Sequence, residues 1–450
     1  MRIRRAVPVG LAAAMLTLAA CGGGDSGPQN PVESLRPTAR DAAAGVDNVD
    51  GAKASPECAA QVKTLRMAAV GTLNDVAESG KAYMERTYPG LTVEINSSAP
   101  NYVALVQQIS ADRSAGRSVD VAVSGLDLLP VFADQLGAQE LSPRLLRASY
   151  DQRLVQLGQV GGRQIGIPQQ VSVPVLAYNL DVLEAAGVDP ATLTTTDGVL
   201  AAAEKIKASG QRIQPIDLPT GEQFGQWFLN TLASSKGAPI QTESGRPALD
   251  TPQAREAAEF LAKVGTYGPQ SDSPSTEGLL RFGLRKETAM VGATVASIGA
   301  GLKFVRDQGA DGFRVGVIPF PTLPGGEQRP VAGGNALTVL ATDKCQREMA
   351  IELVVSLLAP DVVAASTEAL SYIPVDTAAV DQLAPFYQQF PELVQFNELV
   401  PSLVRPPAWG GSRGGELPQA ITEHVVRIMN GADVGQTLAA AQREAETLTQ

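Results

Sequence analysis

The chain has 450 residues, 44 % apolar content and a formal net charge of -11. That surplus of acid argues against a nucleic-acid partner and against electrostatic attachment to an anionic membrane. The one histidine and three cysteines show no Cys/His cluster with metal-ligand spacing, and the sequence holds no Gly-rich phosphate loop.

The first twenty residues carry Arg2, Arg4 and Arg5, followed by an apolar run from Val7 to Ala20. The run is too short to span a bilayer as a mature helix and reads as a signal peptide. It ends in Leu18-Ala19-Ala20-Cys21, which resembles the lipobox of bacterial lipoproteins. The resemblance implies acylation of Cys21 and anchoring at the outer face of the cell membrane. Residues 21–54 are rich in Gly, Pro, Ala and Asp without apolar periodicity, so they read as a disordered tether. Cys58 and Cys345 remain. In an oxidising compartment two leftover thiols are expected to pair, the alternative being two separate buried thiols.

From there strands and helices alternate. Leu65–Val70 reads as a buried strand, Asp75–Thr87 as an amphipathic helix and Leu91–Ile95 as a strand. Tyr102–Ala115 is a second helix and Val119–Val123 a third strand. Thr72 and Asn74 follow the first strand, and Asp127 follows the third. Ligands of open α/β sheets gather at such carboxyl ends. Gln164–Pro168 and Val173–Tyr178 read as strands, with Asn179 opening a short helix. Helices are expected over Thr195–Ser209, Glu222–Ser234 and Pro252–Tyr267, the last with its proline in the first turn. Strands are expected at Thr288–Val291, Phe313–Pro319 and Ala336–Ala341. Helices over Gln346–Leu358, Pro360–Leu370, Leu417–Asn430 and Val434–Leu448 complete the chain.

Four segments together carry a resemblance to a known family. They are QIGIPQQVSVPVLAYNLD from Gln164, LLRFGLRKETAM ending at Met290, VGVIPFPTLPGGEQRPVAGGNALTVL from Val315, and Ala350–Pro374 with its Ser-Tyr-Ile-Pro end. In order and spacing they are similar to the extracellular solute-binding proteins of group 1, the maltose-binding-protein type. The resemblance implies two discontinuous α/β lobes of the periplasmic-binding-protein-like II class, joined by crossing segments around a ligand cleft. It places residues 55–167 and 286–342 in the first lobe, and 168–285 and 343–450 in the second. It also implies a monomeric binder without cofactor that hands a small sugar or polyol to the permease subunits of an ABC importer.

Candidate ligand contacts follow. Sugar recognition needs aromatic faces and side-chain donors and acceptors. The resemblance suggests Asp127, Glu222, Phe224, Trp227, Tyr372 and Trp409. Gln169, Gln170 and Ser172 lie on the crossing segment, and Gly333, Gly334 and Asn335 offer backbone amides at close approach. Arg413 is suited to an acidic group. Each has a plainer reading: core for the tryptophans, a helix cap for Asp127, a turn for the glycines and an exposed surface for Arg413. The tryptophan-rich segment that maltodextrin binders carry after the equivalent of Met290 is replaced by VGATVAS, which disfavours long maltodextrins. A sensor or adaptor of the same fold, and a glycosidase using Asp127 and Glu222, are the alternative readings.

Overall fold

The computed structural model describes residues 52–221, 223–271, 275–411 and 413–450. The signal segment, the lipobox Cys21, most of the tether and Glu222 lie outside the described residues.

Helix α1 (Pro56–Gln61) leads into β1 (Thr64–Val70), α2 (Asn74–Thr87), β2 (Thr92–Ala99), α3 (Tyr102–Ser114) and β3 (Val121–Gly125). β1 lies parallel to both β2 and β3. Its last four residues, Met67 to Val70, are all buried, as expected of a strand covered on both faces. Local chemistry marks the helix starts. The side chain of Asn101 accepts the Ala104 amide at the head of α3, meeting a donor that the helix itself leaves unpaired.

β4 (Gly166–Ser172) completes the first sheet and β5 (Pro174–Asn179) begins the second, so the chain crosses between sheets at Val173. After α4 (Thr196–Ala208), β6 (Gln214–Asp217), α5 (Phe224–Ser235) and α6 (Pro252–Gly265) come β7 (Thr288–Thr294), α7 (Val295–Asp307) and β8 (Val315–Pro319). β9 (Gly333–Val339) returns to the first sheet, followed by α8 (Lys344–Leu357), α9 (Pro360–Leu370), α10 (Leu417–Met429) and α11 (Val434–Leu448). The strand orders are β2-β1-β3-β9-β4 in the first sheet and β8-β5-β7-β6 in the second. β9 runs antiparallel to β3 and β4.

The division expected from the sequence is corrected by this pairing. β7 and β8 belong to the second sheet rather than the first, because β7 pairs with β5 and β6 and β8 with β5. Conversely α8 packs on α2 and β9 in the first lobe. β7 is buried along its whole length. A strand covered on both faces carries no alternation that would assign it to one sheet.

Two apolar cores result. One lies around the first sheet and takes in Val291 and Ala293 of β7 and Ile298 and Leu302 of α7. The other is built by α4, α5, α6, α10 and α11 around the second sheet. α10 shows how the pattern works: Leu417, Ile421, Val425 and Ile428 are buried at intervals of three and four, one face of a helix. Cys58 of α1 and Cys345 of α8 form a disulfide across 287 residues.

Candidate functional site

A cleft of about 860 Å³ opens between the two lobes. The first lobe contributes the head of α3, the turn after β3 and the start of β9; the second contributes the head of α5 and the segment leading into α10.

Of the residues singled out from the sequence, Asp127, Ser172, Phe224, Trp227, Gly334, Tyr372 and Arg413 line this cleft. Asp127 sits in the turn just past β3. Its Oδ2 is closed to solvent and has no hydrogen-bond partner. Burial pushes its carboxyl up to about 6, against the opposing hydrogen bonds from its own amide and that of Leu128. Gly125 makes room for this arrangement. A Cβ there would lie 2.8 Å from Asp127 Oδ1 and 3.2 Å from the Tyr102 ring. Tyr102 and Tyr372 share a hydrogen bond, and burial pushes the Tyr372 phenol up to about 12. Both phenols therefore stay neutral donors at physiological pH.

Trp227 projects from α5 to the crossing segment. Its indole N–H donates to the Val331 carbonyl at 2.8 Å, and its benzo ring rests on Gly333, where a Cβ would stand 2.7 Å from it. Phe224 meets Trp227 edge to face with centroids 5.7 Å apart. This pins a rigid aromatic surface at the junction of the lobes. Ser172 accepts the Ala296 amide at 3.4 Å, joining β4 to the head of α7.

The remaining candidates lie elsewhere. Trp409, expected on the cleft, is only 3 % exposed and packs in the second lobe's core. Its indole N–H donates to Gln226 Oε1 at 3.1 Å, so it orients a cleft residue from behind. Gln170 accepts from Asn335 Nδ2 at 2.6 Å and donates to Ser366; with Gln169 these two are buried within the first sheet. Asn74 accepts the Ser97 hydroxyl at 2.7 Å, and neither it nor Thr72 is among the cleft lining. Arg413 is on the cleft but forms a two-pronged pair with Glu416, at 2.8 and 2.7 Å.

Sequence reasoning missed Tyr102, Gln226, Asn230 and the acids Glu416, Glu423 and Glu444, all of which line the cleft. Tyr102 carries a readable signal, an aromatic opening the helix that follows a parallel strand.

The raised carboxyl of Asp127 sets a pH dependence. Its folded value, about 6, exceeds the ordinary aspartate value near 4. The ligand-free fold therefore binds this proton first and gains stability as pH falls from about 6 to about 4. Above pH 6 the buried charge is a cost. Asp127→Asn is expected to raise the melting temperature at pH 7, by the equivalent of about 1–3 kcal/mol, and to leave it unchanged below pH 4. A melting temperature at pH 7 equal to that of the parent chain would overturn this.

Comparison with known proteins places these features. The family model described as bacterial extracellular solute-binding protein matches residues 71–364. A candidate binding protein of Brucella abortus is 25 % identical over 334 residues, covering 72 % of this chain and 78 % of its own. Maltose-bound MalE3 of T. maritima superposes with a TM-score of 0.72 at 20 % identity, covering 86 % of this chain and 99 % of that one. UgpB of Mycobacterium tuberculosis, in complex with glycerophosphocholine, gives 0.70 at 17 % identity over 86 % and 98 %.

Proposed function

Because the chain belongs to the bacterial extracellular solute-binding protein family, its model matching residues 71–364, we propose that it captures a small polyhydroxylated solute, a sugar, between its lobes. It delivers that solute to the permease of an ABC importer. Cys21 carries the lipid that holds it at the outer face of the cell membrane.

The observation that carries the sugar reading is the pairing of polar and aromatic groups across one cleft. Asp127, Tyr102 and Tyr372 stand on the first lobe, while Trp227 and Gln226 stand on the second. Hydroxyls of a pyranose donate to a carboxylate and exchange hydrogen bonds with phenols, and its C–H face packs on an indole. The carboxylate stands on one lobe and the indole on the other. A solute touching both is bound best with the lobes together, so it selects the closed form by contacts that exist only there. The crossings at Val173 and at residues 320–332 are the hinges.

The test is calorimetry against a panel of mono- and disaccharides, with Asp127→Ala and Trp227→Ala variants of the sugar that binds tightest. Each substitution is expected to weaken that sugar by about 10- to 100-fold. Affinity unchanged in both variants would remove the cleft from the reading.

A further inference from the structure

The cleft is electrostatically one-sided. Among its described lining residues are four carboxylates, Asp127, Glu416, Glu423 and Glu444, and one cation, Arg413, which Glu416 already neutralises at 2.7 Å. His424 behind the cleft is bonded to Glu444 at 2.7 Å and to Arg427. Four helix N-termini, those of α3, α5, α7 and α10, also face the cleft. Each brings only a partial positive charge. At α3 and α7 an amide is already taken, by Asn101 and by Ser172.

The carboxylate on the first-lobe wall needs a donor. Asp127 Oδ2 is closed to solvent and unpartnered, while Oδ1 lies against Gly125 beside the Tyr102 ring. An anion such as a phosphodiester or uronate would meet this oxygen without a cation to balance it. A hydroxyl would satisfy the hydrogen bond and leave the charge. An ammonium would satisfy both, and the adjoining aromatic ring favours a cation over water.

Resting on the sugar reading above, we infer that the solute carries a protonated amine, seated between Asp127 and the Tyr102 ring: an amino sugar rather than a neutral or acidic one. Trp227 then holds the ring face of the same molecule from the second lobe.

The experiment is calorimetry on the intact chain at pH 7 with matched probes: glucose, glucosamine, N-acetylglucosamine and glucuronate, with the β-1,4 dimers of the first three. The amine form is expected to bind at least about 10-fold tighter than its hydroxyl and acetamide counterparts, with glucuronate not binding. In Asp127→Asn, whose folding is checked by its melting temperature, that preference is expected to vanish while residual binding of the neutral form persists. Neutral probes binding as tightly as their amine counterparts would overturn the amine inference alone and leave the sugar reading standing. A preference that survives in Asp127→Asn would likewise overturn the seat assigned to it. Absence of binding by every probe, whatever its charge, would remove the sugar reading together with the inference.

Discussion

Alanine at Gly334 is expected to cost the fold about 3–5 kcal/mol, through strain at a left-handed backbone position added to overpacking. Gly334 has φ 107°, a conformation that a side chain on an L-residue resists. A Cβ there would also stand 2.1 Å from the Gln170 carbonyl oxygen and 3.0 Å from the Val171 Cα. Both are backbone atoms of the adjacent strand β4, so no rotamer change relieves the contact. β9 would have to leave its partner at the point where the chain enters the first sheet. Two other glycines separate strain from crowding. At Gly410 a Cβ meets nothing within 4 Å, and alanine there is expected to be neutral. At Gly333 the added methyl meets the Trp227 ring at 2.7 Å with no left-handed backbone. Alanine at Gly333 should therefore displace the indole and weaken solute binding more than it lowers stability. Thermal melts of the three ligand-free variants provide the measurement. A Gly334→Ala melt within two degrees of the parent would show that β9 can shift without penalty.

The same strand shows where sequence reasoning succeeds and where it ends. An apolar run at Ala336–Ala341 is readable as a strand, and the structure extends it back to Gly333 and ends it at Val339. The glycines hid that extension, because Gly in a strand signals a turn as readily as a close backbone approach. Helices with one apolar face were read closely: Pro360–Leu370 and Val434–Leu448 are observed with the expected ends. α7 is not legible in the sequence, although Val295, Ile298, Leu302 and Val305 are buried at intervals of three and four. Gly299 and Gly301 masked it. Gly299 is there for contact rather than flexibility, since a Cβ at that point would stand 1.8 Å from the Ser371 hydroxyl.

The site was legible by position more than by residue. Asp127 follows from the rule that ligands gather beyond strand ends, while Trp227 is singled out only by the family resemblance. Trp409 was misjudged because its neighbours, Pro407, Gly410 and Gly411, read as a loop. The structure does place it in a loop, but with its ring turned into the core and its N–H satisfied by Gln226. Local composition reports the backbone and not the direction in which the side chain points. The acids Glu423 and Glu444 carry no signal in the sequence that would single them out. They reach the cleft only because α10 and α11 pack together beside it, and that is a tertiary fact.

Removing the disulfide, by Cys58→Ala with Cys345→Ala, is expected to lower stability by about 3–5 kcal/mol and the melting temperature by roughly 4–6 °C. The bond closes a loop of 287 residues, and a longer loop leaves the unfolded chain more freedom to lose in the entropic account of cross-linking. Solute affinity should not change. The bond joins α1 to α8 just ahead of Thr64, where β1 begins, whereas Asp127 lies past the far end of the parallel strand β3. Seven residues of strand put about 20 Å between these two ends of the sheet. The entry of the chain is fastened there twice more. The Ala54 amide donates to Glu352 at 2.7 Å and the Ser55 hydroxyl to Glu348 at 2.8 Å. The bond secures that entry against fraying. Melting and calorimetry on the double variant measure both quantities. An unchanged melting temperature would dismiss the stabilising role, while a fall in affinity comparable to the fall in stability would show that the two ends of the sheet are coupled.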